Sequence, residues 1–444
     1  MGKARLPMGP TYEAGRLAIL GGGRAIPEGF EFRHWPEITK ADEDMVLASL
    51  RGGAHAWGPN CVGLQDDFAR WNGNTYCAAT NSGTAALHMG IAACGVGAGD
   101  EVITTTLSWT SSATSILHHN AIPIFVDVDW GTMLIDPARI EAAITPKTKA
   151  ILPVHYWGTP CDMDAINDIA TRHGLAVIED ACQAHGSTYK GKRTGTLGDV
   201  AAFSLNEGKN LCGGEGGLFV TDDPKIHESG RALMSFGEMR APEEARDFHA
   251  FGMGWMYRTS DLAAAFARSQ LARLDDTNAA ALANWNDLHR RLAGIPHLQR
   301  PFSTGDQQTN GYAYVLRVDR AYARGRGVPL NTLRDGVMAA LLAEGMPIGP
   351  ARWLLPAHTV FQARDGYGKG CPWTCSFSRP GITYDLSQYA EGQDCADSTL
   401  WIAMPGEQPM HHPNGPEQME AMASAIEKVF TRLGDVPLGR VGAG

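Results

Sequence analysis

The chain has 444 residues, 44% of them apolar and 19% charged, with a formal net charge of −10. That size suits two domains sharing an interface, and the composition is globular rather than disordered. No run of Lys or Arg offers a nucleic-acid footprint and no apolar stretch reaches the ~18 residues of a membrane span, so neither nucleic acid nor membrane is an expected partner.

The opening "MGKARLPMGP" has no apolar core of the kind a signal peptide needs, and Leu6 stands where a myristoylation signal has Ser or Thr. A cytoplasmic location is expected. From about residue 75, strands and helices alternate. "TYCAAT" reads as a strand, "GTAALHMGIAAC" as a helix stopped by Gly95, and "DEVITTT" and "AIPIFVDVD" as strands. "DPARIEAAI" is a helix with Pro137 in its first turn, "KAILPVH" a strand, and "DMDAINDIATRH" an amphipathic helix ended by Gly174. "LAVIED" and "VAAFSL" complete a set of apolar strands buried on both faces. The fold class is therefore α/β, with a mixed, mostly parallel sheet sandwiched by helices. Beyond residue 260 come two long helical patterns, "DLAAAFARSQLARL" and "TNAAALANWNDLHRRL". A strand "GYAYVLRV" and a helix "LNTLRDGVMAALLAEG" follow, as expected of a smaller α+β domain. The division predicted is an arm over 1–36, a large domain over 37–285 and a small domain over 286–444. Residues 365–397 show no periodicity and read as a long functional loop. The terminal "LGRVGAG" reads as frayed.

The nine cysteines have no repeating spacing and are expected to be reduced. Cys371 and Cys375 are the closest pair, but they stand four apart and form no CxxC. No HExxH occurs, so no metal site is expected, and His411-His412 in "MHHPNG" reads as a solvated loop.

Ligands in such sheets bind at the carboxyl ends of the strands, and three of those ends carry chemistry. In "CAATNSGTAAL", Ser82, Gly83 and Thr84 open a helix and can cradle a phosphate on backbone N–H groups; an ordinary N-cap is the alternative. Asp180 closes "LAVIED", where a carboxylate wants a cationic partner or serves as a cap. Lys209 follows the next strand and precedes four glycines, Gly213, Gly214, Gly216 and Gly217. A Walker motif fails here, because Asn210 follows the lysine, and "GGEGG" is not GxGxxG. A phosphate cradle, a carboxylate and a lysine suit pyridoxal 5′-phosphate. Its phosphate, its pyridinium nitrogen and its aldehyde want those three partners in turn.

With "NSGTAAL", "GDEVITTTLSWTSSAT", "PIFVDVD", "ITPKTKAILPVHYWGTPCDMDAI", "VIEDACQAHGSTYKGKRTGTLGDVAAFSL" and "KNLCGGEGG" in this order, the chain resembles the DegT/DnrJ/EryC1/StrS aminotransferases of the aspartate-aminotransferase fold type I. The resemblance runs from Gly21 to "AIEKVF". It implies that Lys209 holds the cofactor as a Schiff base and moves protons once freed. Asp180 would pair with the ring nitrogen, Gln183 would contact the phenolic oxygen and Trp109 would stack on the ring. Gly83, Thr84 and Ser204 would hold the phosphate. His185 is expected to be a structural hydrogen-bonder and Cys182 an apolar filler. The family's asparagine that reaches the partner subunit's phosphate is replaced by Met256, beside Tyr257 and Arg258, either of which could stand in. A homodimer is implied, as is amino transfer from L-glutamine or L-glutamate to a ketone of a sugar or, preferably, a cyclitol, in aminoglycoside-like natural-product biosynthesis. The same residues also serve a dehydratase or elimination enzyme on a cyclic substrate. A non-catalytic regulatory relative is the reading from a different class, and the intact set of Lys209, Asp180, Gln183 and Trp109 argues against it.

Overall fold

The structure is a computed structural model that describes residues 15–238, 248–302, 304–351, 354–403 and 408–438. The N-terminal decapeptide and the expected frayed end from residue 439 lie outside the described residues. Among the described residues no helix is long and apolar enough to cross a membrane.

Seven strands form the main sheet: β1 (Tyr76–Thr80), β2 (Glu101–Thr105), β3 (Ile122–Val126), β4 (Thr148–Leu152), β5 (Ala176–Asp180), β6 (Val200–Ser204) and β7 (Gly217–Thr221). Their order is β1-β7-β6-β5-β4-β2-β3. β2 to β6 pair in parallel, whereas β7 is antiparallel to both of its neighbours. The mixed, mostly parallel sheet expected from the apolar runs is present. Its strands are buried on both faces because helices cover both sides. Helix α1 (Gly83–Ala93) follows β1 and is buried at every position from Ala85 to Ile91, which explains its lack of a polar face. Helices α2 (Ser111–His118), α3 (Pro137–Ala143) and α4 (Met163–His173) follow β2, β3 and β4. Asp136 and Asp162 cap α3 and α4 with their side chains, and Gly174, at φ 64°, ends α4 in the left-handed conformation that glycine adopts without strain.

After β7 the chain enters α5 (Pro224–Met234), α6 (Asp261–Leu271) and α7 (Leu274–Arg291). The boundary predicted between 285 and 286 falls inside α7, which runs unbroken and serves two cores. Leu274 packs with Phe68 and Phe203 beneath the large sheet. Trp285 and Leu288 join a second apolar core with Leu316, Val337, Met419 and Ile426. That second core lies against a four-stranded sheet, ordered β8-β9-β11-β10, of β8 (Leu298–Gln299), β9 (Val315–Val318), β10 (Gly349–Pro350) and β11 (Thr399–Trp401). The predicted strand "GYAYVLRV" starts only at Val315. Before it, the Tyr312 N–H donates to Asn310 Oδ1 at 3.0 Å and Gly311 sits at φ 75°, so this stretch turns instead of extending.

The predicted loop over 365–397 is different in the structure. Ala390–Ser398 is helix α9, preceded in the chain by α8 (Leu330–Ala343). Asp127 accepts the N–H groups of Glu391 and Gly392 at the start of α9, so a carboxylate remote in sequence supplies the cap that local sequence lacks. The remainder, 364–389, is a strap packed on the outer edge of the large sheet. Tyr384 Oη donates to the Pro123 carbonyl at 2.9 Å, and Trp373 Nε1 donates to Tyr384 Oη at 2.9 Å. Arg379 reaches the fully buried Glu101 at 2.7 Å.

Candidate active site

β5 and β6 are parallel neighbours, with Asp180 paired to Ala202. Their carboxyl ends therefore deliver Asp180, Cys182, Ser204 and, after a short turn, Lys209 to one edge of the sheet. The turn is closed by the Lys209 N–H donating to the Asn206 carbonyl at 2.9 Å. The glycines that follow have a tighter task than turning the chain. A Cβ on Gly217 would lie 2.3 Å from the Ser82 carbonyl oxygen, so only glycine lets β7 press against the start of α1. A Cβ on Gly83 would likewise meet Cys182 Sγ and Ser204 Cβ at 2.9 Å each. Gly83, Cys182 and Ser204 thus pack against one another at a helix N-terminus. Thr84 stands half-buried beside them. Ser82 is the N-cap, its Oγ accepting from the Ala85 N–H at 3.1 Å, so the capping alternative holds for that hydroxyl.

Asp180 is buried, with the Lys209 ammonium near enough for their charges to interact and two direct hydrogen bonds on its carboxylate. Oδ2 accepts from Ser112 Oγ at 2.6 Å and Oδ1 from the Cys182 N–H at 3.2 Å. Gln183 accepts the Trp157 N–H on Oε1 at 2.7 Å, which leaves its Nε2 as the donor end. Trp109 is 59% exposed, so it is not part of the core. Cys182 is half-buried, and burial holds its thiol pKa well above the usual 9.0.

Lys209 is half-buried, with Nζ 3.2 Å from Tyr312 Oη. Burial disfavours its ammonium, but Tyr312 first, then Cys182 and Asp180, outweigh that and hold its pKa above the usual 10.5. Tyr312, in the turn before β9, was not singled out by sequence reading. Neither were Trp35, whose Nε1 donates to the Lys209 carbonyl at 3.2 Å, nor Asn210, which pairs at 2.9 Å with His411 Nε2. His411 is fully buried, its ring 4.6 Å from that of Trp35 and tilted by 32°, which corrects its reading as part of a solvated loop. Its neighbour His412 is exposed and pairs with Glu37. No local pattern marks these residues, because they come from 35, 312 and 411 and meet only in the fold.

His185 also departs from expectation. It is fully buried, and among the described residues neither ring nitrogen has a hydrogen-bond partner within normal distance and angle. Burial, then the charge of Lys209, lowers its pKa from 6.5 to about 3, and burial alone does the same for His411. Both are neutral in the fold and would protonate if unfolded. Below pH 6.5 the unfolded chain therefore binds more protons, and stability falls as pH drops from 6.5 toward about 3. The melting temperature is expected to be level above pH 7 and to fall steadily between pH 6.5 and 4.5. A melting temperature unchanged to pH 4.5 would contradict the buried neutral imidazoles.

At the predicted subunit-facing segment, Met256 is half exposed. Of its two possible stand-ins, Tyr257 is engaged, its hydroxyl lying 3.0 Å from His88 Nδ1. Arg258 lies over the Phe236 ring at 5.6 Å.

The model of the DegT/DnrJ/EryC1/StrS aminotransferase family matches residues 36–389. The spore coat polysaccharide biosynthesis protein SpsC of Bacillus subtilis (strain 168) is 37% identical over 343 residues, which are 75% of this chain and 85% of that one. Among solved structures, 3-amino-5-hydroxybenzoic acid synthase superposes with a TM-score of 0.79 at 27% identity, covering 90% of this chain and 99% of that one. DesV of S. venezuelae, solved with a ketimine intermediate, gives 0.72 at 28% identity, covering 87% and 93%. With sheet order, strand-end chemistry and sequence in agreement, the chain belongs to the DegT/DnrJ/EryC1/StrS family and is a pyridoxal-phosphate-dependent aminotransferase.

Proposed function

We propose that this enzyme moves an amino group from L-glutamine or L-glutamate to the ketone of a cyclitol or sugar, with the cyclitol favoured, in natural-product assembly. The observation that carries the reading is the Lys209–Tyr312 pair at 3.2 Å, with Asp180 near enough to raise the lysine's pKa. The relatives support a polyhydroxylated or cyclic acceptor. One is named for polysaccharide biosynthesis and another for making a ring-borne aromatic amine.

The residues fit the family's cofactor. Gly83 packs so tightly on Cys182 and Ser204 that a Cβ would clash, which brings Ser204 to the N-terminus of an eleven-residue helix, where a phosphate would meet backbone N–H groups. Pyridoxal phosphate, when bound, supplies an aldehyde for amines and a protonated ring that draws electrons from the bond being broken. Gly83, Thr84 and Ser204 hold its phosphate. Asp180, fixed by Ser112, keeps the ring nitrogen protonated. Gln183 presents Nε2 to the phenolic oxygen, and Trp109 shields one ring face from water. Lys209 would hold the cofactor through its aldehyde and, once freed, would be the acid/base that accepts and returns the proton of the donor's α-carbon. That role needs Lys209 as a free amine, although its surroundings favour the ammonium. Tyr312 Oη, in hydrogen-bond reach, is the group that sets how readily Nζ gives up its proton.

Tyr312→Phe removes that hydrogen bond to the ammonium, worth about 1.5–3 kcal/mol, and is expected to raise the free-amine fraction of Lys209 at neutral pH roughly 10- to 100-fold. It should also move the acid limb of the kcat–pH profile to lower pH, because Lys209 loses a group that raises its pKa and is needed as the free amine. An unchanged profile would count against the pairing. We also place a second copy of the chain against the segment with exposed Phe251, Met253 and Met256, giving a homodimer, and the enzyme in the cytoplasm.

The reading is tested with the full chain loaded with pyridoxal phosphate. Its visible band is followed on adding L-glutamine or L-glutamate, and new amines are sought by mass spectrometry after ketocyclitols and keto-sugars are supplied. Bleaching by a donor, followed by amination of a cyclitol, is the expected result. A band that neither donor bleaches, with no amine formed, would overturn it.

A further inference from the structure

The strap over 364–389 carries Cys371 and Cys375, whose Sγ atoms lie 3.2 Å apart. Both are half-buried and therefore reachable, whereas Cys61, Cys77, Cys161, Cys212 and Cys395 are buried. The backbone between them is held in consecutive turns. The Thr374 N–H donates to the Gly370 carbonyl at 3.0 Å, and the Cys375 N–H to the Pro372 carbonyl at 3.1 Å. A second set of bonds folds the preceding residues onto the same point, with the Gly366 N–H donating to the Cys371 carbonyl at 2.9 Å. The two thiols are thus presented to each other by a preformed loop. A shift of about 1 Å would bring the sulfurs to the ~2.05 Å of a disulfide.

We infer that Cys371 and Cys375 are a redox modification site, closing to an intrachain disulfide in the presence of a small-molecule disulfide and thereby locking the strap against the sheet edge. The exchange balances. The thiolate of one cysteine attacks the reagent's S–S bond and expels one reagent thiol. The thiolate of the other then attacks the mixed disulfide, forming Cys371–Cys375 and expelling the second thiol. Two protein thiols lose two electrons and two protons in all, and the reagent gains them. The effect on the strap follows from position. The loop lies between two anchors of the strap: the Tyr367 hydroxyl donating to the Leu117 carbonyl at 2.7 Å, and Arg379 paired with Glu101 at 2.7 Å. Closing a covalent ring between the anchors removes conformations through which the strap would open.

The test uses the full-length protein incubated with glutathione disulfide, alkylated and mapped by mass spectrometry. Expected is a peptide holding both cysteines, lighter by two hydrogens and free of alkyl groups, that dithiothreitol restores. Both thiols alkylated, or a separate glutathione on each, would overturn the site. Limited chymotrypsin digestion reads the locking at Tyr367 and Phe377, which are 55% and 65% exposed. Cleavage there is expected to slow several-fold on oxidation and to recover on reduction. Equal cleavage in both states would overturn the lock. In Cys375→Ser, glutathione should remain on Cys371 and cleavage should be indifferent to oxidant. Protection of that variant would assign the effect elsewhere and overturn the proposal.

Discussion

Lys209→Ala is expected to reduce transamination by at least about 10⁴-fold, because on the proposed reading it removes the amine that binds the aldehyde and moves the proton. The loss should fall on kcat. The fold should survive. The side chain is half-buried and its one described hydrogen bond is to Tyr312, so truncation frees a tyrosine hydroxyl without emptying a core position. Steady-state kinetics with and without added small primary amines check this. Partial recovery by an amine such as ethylamine would show that the missing element is the basic nitrogen and not the local structure. Near wild-type turnover in the variant would remove Lys209 from the chemistry.

Asp180→Asn is expected to be the second largest loss, about 10²- to 10³-fold in kcat, with the fold and KM little changed. The amide keeps the shape and can reproduce both contacts. Its Oδ1 can still accept the Cys182 N–H, and its Nδ2 can donate to Ser112 Oγ, which also has Ser108 Oγ at 2.6 Å. What it lacks is the negative charge that, on the proposed reading, holds a proton on a ring nitrogen. Asp180→Ala provides the contrast. It leaves the Cys182 N–H unpaired, at a cost of about 1–3 kcal/mol of stability, and leaves the Ser112 hydroxyl only Ser108 Oγ as a partner. If the asparagine variant keeps full activity while the alanine variant is merely less stable, Asp180 is structural and the electrostatic role fails.

The main sheet was legible because its strands are uninterrupted apolar runs with helix caps between them, and such local signals do not depend on tertiary context. Asp136, Asp162, Gly174 and Gly95 each stop or start a helix where the chain says they do. The strand ends were legible for the same reason. A carboxylate or lysine that follows a buried strand has one place to go, the carboxyl edge of the sheet. The helix Ala390–Ser398 was missed because its cap is Asp127, far away in sequence. The strap before it looked like a free loop because its aromatic residues have no period, yet Trp373 and Tyr384 are buried against Phe125 and Phe361.

Sequence by itself thus determined the fold class, the family and the three groups that suit the cofactor, because each is written in a contiguous run of residues. Only the tertiary structure decided what surrounds Lys209. Trp35, Tyr312 and His411 come from three distant segments, and their hydrogen bonds and ring contacts exist only once the N-terminal segment and the second core close on the sheet edge. The same holds for His185 and Gly217. Whether an imidazole finds a partner, and whether a Cβ has room, depend on atoms brought within a few ångströms by packing, a distance that no spacing along the chain encodes.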